Sequence, residues 1–362
     1  MKRLLLIFSC VFMVVASHAQ RTIVVKPGDA ASLLEAVEQA NKTNADSAAS
    51  KWTFILIPDG FYDLGKTVLT QITGHRIALI GQSTEGTIIQ NCPDFKDEGI
   101  SKTAIFLNLG TDNYFQDLTL KNALDYYACG AAGRAVCLHD KGTRTICNRV
   151  RMLSYQDTYY TWSEDGRHYL KDSEIHGTVD FICGAGDVWF ERCRIVTEKR
   201  TESGKGRNVI VAPRTSQTNW GHVFNSCTIE NIVSSFDYAR GWHTLPRCTW
   251  LNTTLLSPDK LNKTRFDCRG MRTVDSIFKE YGTKDASGQD ITPASNVITL
   301  TLTEKKKEGD KETEKTYERS TETILTEAEA QRYTVDNVFG WWHPDQIAAK
   351  LEKKAQKLMK RL

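Results

Sequence analysis

The chain has 362 residues, of which 40% are hydrophobic and 25% charged, with only 8 prolines; this composition excludes disordered, collagen-like and coiled-coil chains. Lys and Arg number 47 against 44 Asp and Glu, a net charge of +3, and without Lys2 and Arg3 the count is 45 against 44. So balanced a chain lacks the basic excess of a dedicated nucleic-acid binder, and its length allows one large domain or two ordinary ones.

Met1 to Gln20 reads as a secretory signal. Lys2 and Arg3 precede the apolar run Leu4 to Val15, and Ser17 and Ala19 put small residues at −3 and −1. The run is too short to span a bilayer as a helix. The expectation is a signal peptide over 1–19 and a mature chain from Gln20 that works outside the cytoplasm, in the periplasm or beyond. No later stretch reads as an integral membrane segment. Nine cysteines remain after Cys10, an odd number with no CxxC pattern, which favours buried thiols over a disulfide framework.

A short amphipathic helix is expected over Ala31 to Asn41, with Leu33, Leu34 and Val37 on one side. Short strands closed by Gly turns follow, such as Ile55-Leu-Ile-Pro-Asp-Gly and Ile77-Ala-Leu-Ile-Gly. From residue 115 one pattern recurs: Phe115/Leu118/Leu120, Cys147/Val150/Met152, Leu170/Ser173/Ile175, Phe190/Cys193/Ile195, Phe224/Cys227/Ile229 and Trp250/Thr253/Leu255. Its starts lie 32, 23, 20, 34 and 26 residues apart. Strands repeating at such intervals, with variable loops between them, predict a β-solenoid, with a sandwich as the alternative. No Pro/Gly/Ser linker interrupts it, so 20–346 reads as one elongated all-β domain. Residues 304–322, densely charged with mixed sign, predict an extended hairpin turning near Gly309, or a mobile loop. The tail from Asp345 has helical period and a basic side with Lys350, Lys353, Lys354 and Lys357. It is expected to form a basic amphipathic helix over 347–362 that packs on the solenoid or is solvated; contact with an acidic polysaccharide or membrane surface is the alternative.

The repeat places two acids. Asp157 lies ten residues after Cys147 and Asp180 ten after Leu170. Equal offsets in consecutive coils stack both carboxylates on one face, and strands about 4.8 Å apart would bring the carboxyl groups within roughly 5 to 7 Å. Two acids so close in a partly buried site have split pKa values, one serving as proton donor and the other as base or nucleophile. None of His75, His139, His168, His176, His222, His243 and His343 forms HxH or HExxH, so no metal is expected. A GxSxG elbow is missing as well.

The segments around these acids resemble the pectin methylesterase family. Tyr155-Gln156-Asp157-Thr158-Tyr159-Tyr160 is similar to its Gln-Asp-Thr-Leu-Tyr box, and Gly177-Thr178-Val179-Asp180-Phe181-Ile182-Cys183-Gly184 to its Gly-Thr-Val-Asp-Phe-Ile-Phe-Gly box. Gly133 to Leu138 resembles its Gln-Ala-Val-Ala-Leu segment and Ala239-Arg240-Gly241-Trp242 its Gly-Arg-Pro-Trp. Leu325-Thr326, Tyr333 to Val338 and Trp341-Trp342-His343-Pro344 resemble its closing segment, so the likeness is collinear from about 22 to 346. It implies a single-stranded right-handed parallel β-helix with a short N-terminal cap helix and a C-terminal helical tail. The implied reaction removes the C6 methyl ester of galacturonate in pectin, without a metal or organic cofactor. A capped solenoid can stand alone, and a monomer is expected. Asp180 would be the nucleophile, Asp157 the general acid/base, Gln156 an oxyanion donor and Arg240 the partner of Asp180. Trp242, Arg134, Thr158 and Tyr160 would contact substrate.

Three positions depart from the family pattern. Arg134 stands where the family has an oxyanion Gln, Cys183 replaces a Phe, and Gly241 replaces a Pro. These changes predict a substrate preference other than plain homogalacturonan. Tyr126, Tyr127, Tyr159, Trp162 and Trp220 are further candidate sugar platforms or core residues. The competing functions are another β-helix pectin enzyme, a galacturonan hydrolase or lyase, and a non-catalytic polysaccharide-binding solenoid.

Overall fold

The computed structural model describes residues 21–362 apart from 49, 131–132, 216–219, 244, 269–273 and 309–310; the leader and the turn at Gly309 lie outside the described residues. The chain coils into a parallel β-helix whose strands stack in three ladders. The first climbs from Arg21–Val24 through Tyr114–Asn122, Thr145–Leu153, Arg167–Lys171 and Asp187–Glu191 to Ile277–Tyr281, and the second from Gly60–Asp63 to Lys284–Asp285. The long strands Tyr114–Asn122 and Thr145–Leu153 run through both. The third ladder comprises Thr70–Ile72, Phe106–Asn108, Leu138–Asp140, Tyr159–Thr161, Val179–Gly184, Arg207–Pro213 and Ser235–Ala239.

The recurring apolar pattern is the interior of this coil. Phe115, Cys147, Leu170, Phe190, Phe224 and Trp250 pair successively in register. Leu120, Met152, Ile175, Ile195, Ile229 and Leu255 form a second buried row. Stacked like residues fill the same depth in each coil, as the rings of Phe190, Phe224 and Trp250 do at centroid spacings of 4.3 and 3.9 Å. Between the two rows the chain turns a corner through one left-handed residue per coil: Asp117, Arg149, Asp172, Arg192, Ser226 and Asn252 have φ between 48° and 56°. Asp and Asn accept that conformation readily. The two arginines are tied down by their neighbours, Arg149 reaching Asp117 at 2.6 Å and Arg192 reaching Asp172 at 2.9 Å.

Both ends of the core are covered. The helix Ala30–Thr43, capped where the Asp29 carboxylate accepts from the Ser32 N–H, lays Leu33, Ala36, Val37 and Ala40 on the first coil. At the other end the charged segment forms an antiparallel hairpin, Val297–Glu308 with Lys311–Glu322, whose base buries Ile298 and Leu300 in the core. The C-terminal helix Pro344–Met359, starting before the expected 347, packs Ala348, Leu351, Ala355 and Leu358 against outward residues of the first ladder such as Phe54, Ile80 and Tyr169. No helix among the described residues is long and apolar enough to cross a membrane. All nine described cysteines are free thiols, six of them buried.

Candidate active site

The third ladder carries the two acids. Tyr159 pairs with Ile182 and Tyr160 with Cys183, a register of 23 residues, so Asp157 stands level with Asp180 on neighbouring strands. Both acids are left-handed, φ 60° and 52°, and a bulge interrupts the ladder between Val179 and Ile182. A bulge re-aims a side chain, and a left-handed Asp is the least strained non-glycine residue to carry one. Two glycines make the second box possible. A Cβ on Gly177 would lie 2.1 Å from that of Phe181, and Gly184, at φ 115°, would place one 1.8 Å from the Thr161 carbonyl.

Asp180 is 6% exposed and gripped by Arg240, whose Nε and Nη2 donate to Oδ1 at 2.8 Å and Oδ2 at 2.5 Å. Burial raises its pKa, and the Arg240 hydrogen bonds and charge pull it back. Asp157, 4% exposed, has no such partner. Burial and then the charge of Asp180 push its pKa well above the usual carboxylate range, against weaker pulls from Arg134, Arg240 and the Cys183 thiol. The pair therefore splits, with Asp157 holding a proton more tightly and Asp180 favoured as the ion. Arg134 bridges Gln156 on the ladder, and its guanidinium pairs with Glu98 at 3.5 Å. Among the described residues the Gln156 carboxamide has no partner inside the protein, leaving its donors to an incoming group.

A model of the family described as Pectinesterase matches residues 22–256. The chain belongs to the pectinesterase family. Pectinesterase A of Dickeya dadantii (strain 3937) is 28% identical over 335 residues, 84% of this chain and 88% of that protein. Pectinesterase 1 of Solanum lycopersicum is 29% identical over 197 residues, 54% of this chain, and the match spans only 30% of the tomato protein. A crystal structure of a pectin methylesterase in complex with a hexasaccharide has the same fold, with a TM-score of 0.62 at 23% identity over 86% of this chain and 93% of that one.

Several side chains around this site lie elsewhere than the sequence suggests. Thr158 is fully buried and its hydroxyl donates to the His176 carbonyl at 2.7 Å and the Tyr155 carbonyl at 3.2 Å, so it ties two coils together and does not face substrate. Tyr160 points outward but is 1% exposed, stacked on His139 and covered by Trp162 and Trp242, each with its centroid 6.0 Å away. It supports the cleft wall from below and is no sugar platform. Tyr159 points into the core, and Trp220 packs on Tyr333 beside the C-terminal segment. Trp242 is partly exposed at the cleft, and Trp162 is 42% exposed.

Two residues of this neighbourhood received no role from the sequence. Arg214 lies over the Trp162 ring at 4.3 Å, a stacked cation–aromatic pair at the cleft's edge. The lone Pro213 before it gave no motif to mark it. Cys183, noticed only as a missing aromatic, sits buried between Tyr160 and Ala212 with its Sγ 3.8 Å from Asp157 Oδ1. His176, four residues before Asp180, is held between Glu174 and Glu198 at 2.5 and 2.7 Å and takes no part in the acid pair.

Proposed function

We propose that the protein is an exported, monomeric pectinesterase that hydrolyses C6 methyl esters of galacturonate in pectin. The observation that carries this reading is the unequal carboxylate pair: two acids level on adjacent strands, with Arg240 clamped on one only. The ionised Asp180 attacks the ester carbonyl carbon, and the resulting oxyanion takes a hydrogen bond from Gln156, with the Arg134 charge nearby. Such a preorganised donor contributes about 3 to 4 kcal/mol. As the carbonyl reforms, the bond to the methoxy oxygen breaks and protonated Asp157 gives that oxygen its proton, releasing methanol. Asp180 is left joined to the substrate as an acyl anhydride. Water then attacks the acyl carbon while the Asp157 carboxylate takes its proton, and the anhydride bond breaks to return Asp180 as carboxylate and the sugar as uronic acid. Trp242 supplies a wall for a sugar ring, in line with the hexasaccharide bound by the related pectin methylesterase.

The differences at Arg134 and Cys183 support a preference for pectins other than plain homogalacturonan, which turnover on a panel of methylated pectins measures. The decisive test is methanol release from highly methylated pectin, with Asp180→Ala beside the wild type. Methanol that vanishes in the variant is expected. No methanol from the wild type on several pectins, or undiminished release by the variant, overturns the reading. New reducing ends or unsaturated sugars would indicate chain cleavage instead.

A further inference from the structure

A second groove lies on a different face of the solenoid from the acid pair, which belongs to the third ladder. It runs between the C-terminal helix and the outer face of the first ladder, encloses about 860 Å³, and has an aromatic and aliphatic floor that includes Trp52, Phe54 and Leu351. Six of its lining side chains are cationic and one, Asp112, is anionic. Asp112 is already neutralised, since Arg144 grips it at 2.5 and 2.9 Å and Arg76 reaches it at 3.1 Å. Lys51, Lys350 and Lys354 are exposed, and among the described residues none of them pairs with a carboxylate. Trp341 stands at the rim, 66% exposed, with the guanidinium of Arg144 5.4 Å and that of Arg167 5.8 Å from its ring centroid. On a chain of nearly balanced charge, three exposed, unpaired lysines in a groove rimmed by an exposed indole are a local feature that neither the core nor the acid pair requires.

From this charge pattern we propose that the groove binds de-esterified galacturonan, a polyanionic sugar chain, separately from the catalytic cleft. The inference rests on the proposed activity for its occupant's origin. Each ester hydrolysed turns a neutral sugar into a carboxylate, so the product acquires the charge that the groove complements while the methylated substrate lacks it. The indole offers a flat face to a sugar ring and the lysines point charge at the carboxylates beside it. A bilayer surface is flat and would meet only the rim of a concave site, whereas an extended sugar chain can lie along it. The groove then holds the enzyme on stretches it has already demethylated, next to the remaining esters.

The test is titration of the protein with fully de-esterified galacturonate decamers, for wild type, Lys350→Glu/Lys354→Glu, Lys350→Gln/Lys354→Gln and Trp341→Ala. Reversing two exposed cations is expected to raise the Kd about tenfold or more and to flatten its dependence on salt. The glutamine pair should fall between it and wild type, and serves if the reversed pair folds poorly. Trp341→Ala should weaken binding and keep the salt dependence. Methanol release from a methylated trigalacturonate, too short to reach both faces, should be unchanged in all three. Equal affinity across the variants overturns the proposal, as does tighter binding of wild type to phosphatidylglycerol vesicles than to the decamer. The two readings fail separately: methanol release with unaltered decamer binding removes only the groove, and variant-sensitive binding without methanol release from pectin removes only the esterase.

Discussion

Removing the arginine that holds Asp180 should cost both stability and catalysis, and the two costs should track the charge of one carboxylate. In Arg240→Ala the Asp180 side chain keeps its burial but loses two charge-assisted hydrogen bonds at 2.8 and 2.5 Å. Stranding one member of a buried pair costs about 3–5 kcal/mol. Because the Arg240 side chain is 28% exposed, water recovers part of that, and about 2–3 kcal/mol is expected near neutral pH. The burial that already raises the Asp180 pKa then acts unopposed by Arg240, so the folded-state pKa rises further. For an acid with a raised folded pKa, the penalty is present above that pKa and fades as pH falls through it. The deficit of Arg240→Ala should therefore be larger at pH 7 than at pH 4. Under the proposed mechanism Asp180 attacks as the ion, so the acid limb of kcat should also move to higher pH. Urea unfolding at both pH values and a methanol-release pH profile read the two effects. In an Asp180→Asn background the same arginine removal should cost under about 1 kcal/mol, because no charge is left unpaired. Equal destabilisation in both backgrounds, or an acid limb that stays in place, would refute the assignment of Arg240 as the group that keeps Asp180 ionised.

Cys183→Ala removes the thiol that lowers the Asp157 pKa, so the alkaline limb of the pH profile, where Asp157 loses its proton, should move upward with kcat changed by less than about tenfold; a downward shift would contradict the contact. Trp242→Ala should raise KM on pectin far more than it lowers kcat, and a loss confined to kcat would place the indole with the reacting atoms. His222 is buried, neither ring nitrogen has a partner among the described residues, and burial holds its pKa at about 3. The unfolded chain protonates it near pH 6.5, so stability falls below that pH by about 1.4 kcal/mol per unit. His222→Leu should recover about 2 kcal/mol at pH 5 relative to pH 7.5, and an unchanged pH dependence in chemical unfolding would exclude it.

The interior of the solenoid was legible because a parallel stack repeats one environment at one position per coil. Phe115, Cys147, Leu170, Phe190, Phe224 and Trp250 share a ladder row, so chemically similar residues recur there whatever the intervening loop length. The left-handed corners repeat at the same intervals, though as Asp, Arg, Ser and Asn they share no residue type that a pattern could catch. The acid pair was legible for the same reason as the core rows, from equal offsets. What covers the outward faces was not. Tyr159 and Tyr160 alternate in and out as a strand requires, but only the fold shows that Trp162 and Trp242 close over Tyr160. Thr158 likewise has the box position of a substrate contact, and its carbonyl partners come from residues 155 and 176, which sequence spacing does not bring together.

The split between the two acids follows from the ladder more than from either residue. A parallel register of 23 residues puts like groups level, so two carboxylates arrive with nearly identical burial and with mutual repulsion. Identical environments would leave the shared proton undecided. The symmetry is broken two coils further on, where Arg240 follows the strand Ser235–Ala239 and reaches back to Asp180 alone. Arg134, one coil before, pulls on Asp157 by charge only and is itself engaged by Glu98. Direct contact outweighs distant charge, so Asp180 is the better ion and Asp157 the better acid. The division of labour thus comes from the coils on either side of the acids, and exchanging Asp157 with Asp180 in sequence would exchange nothing in chemistry.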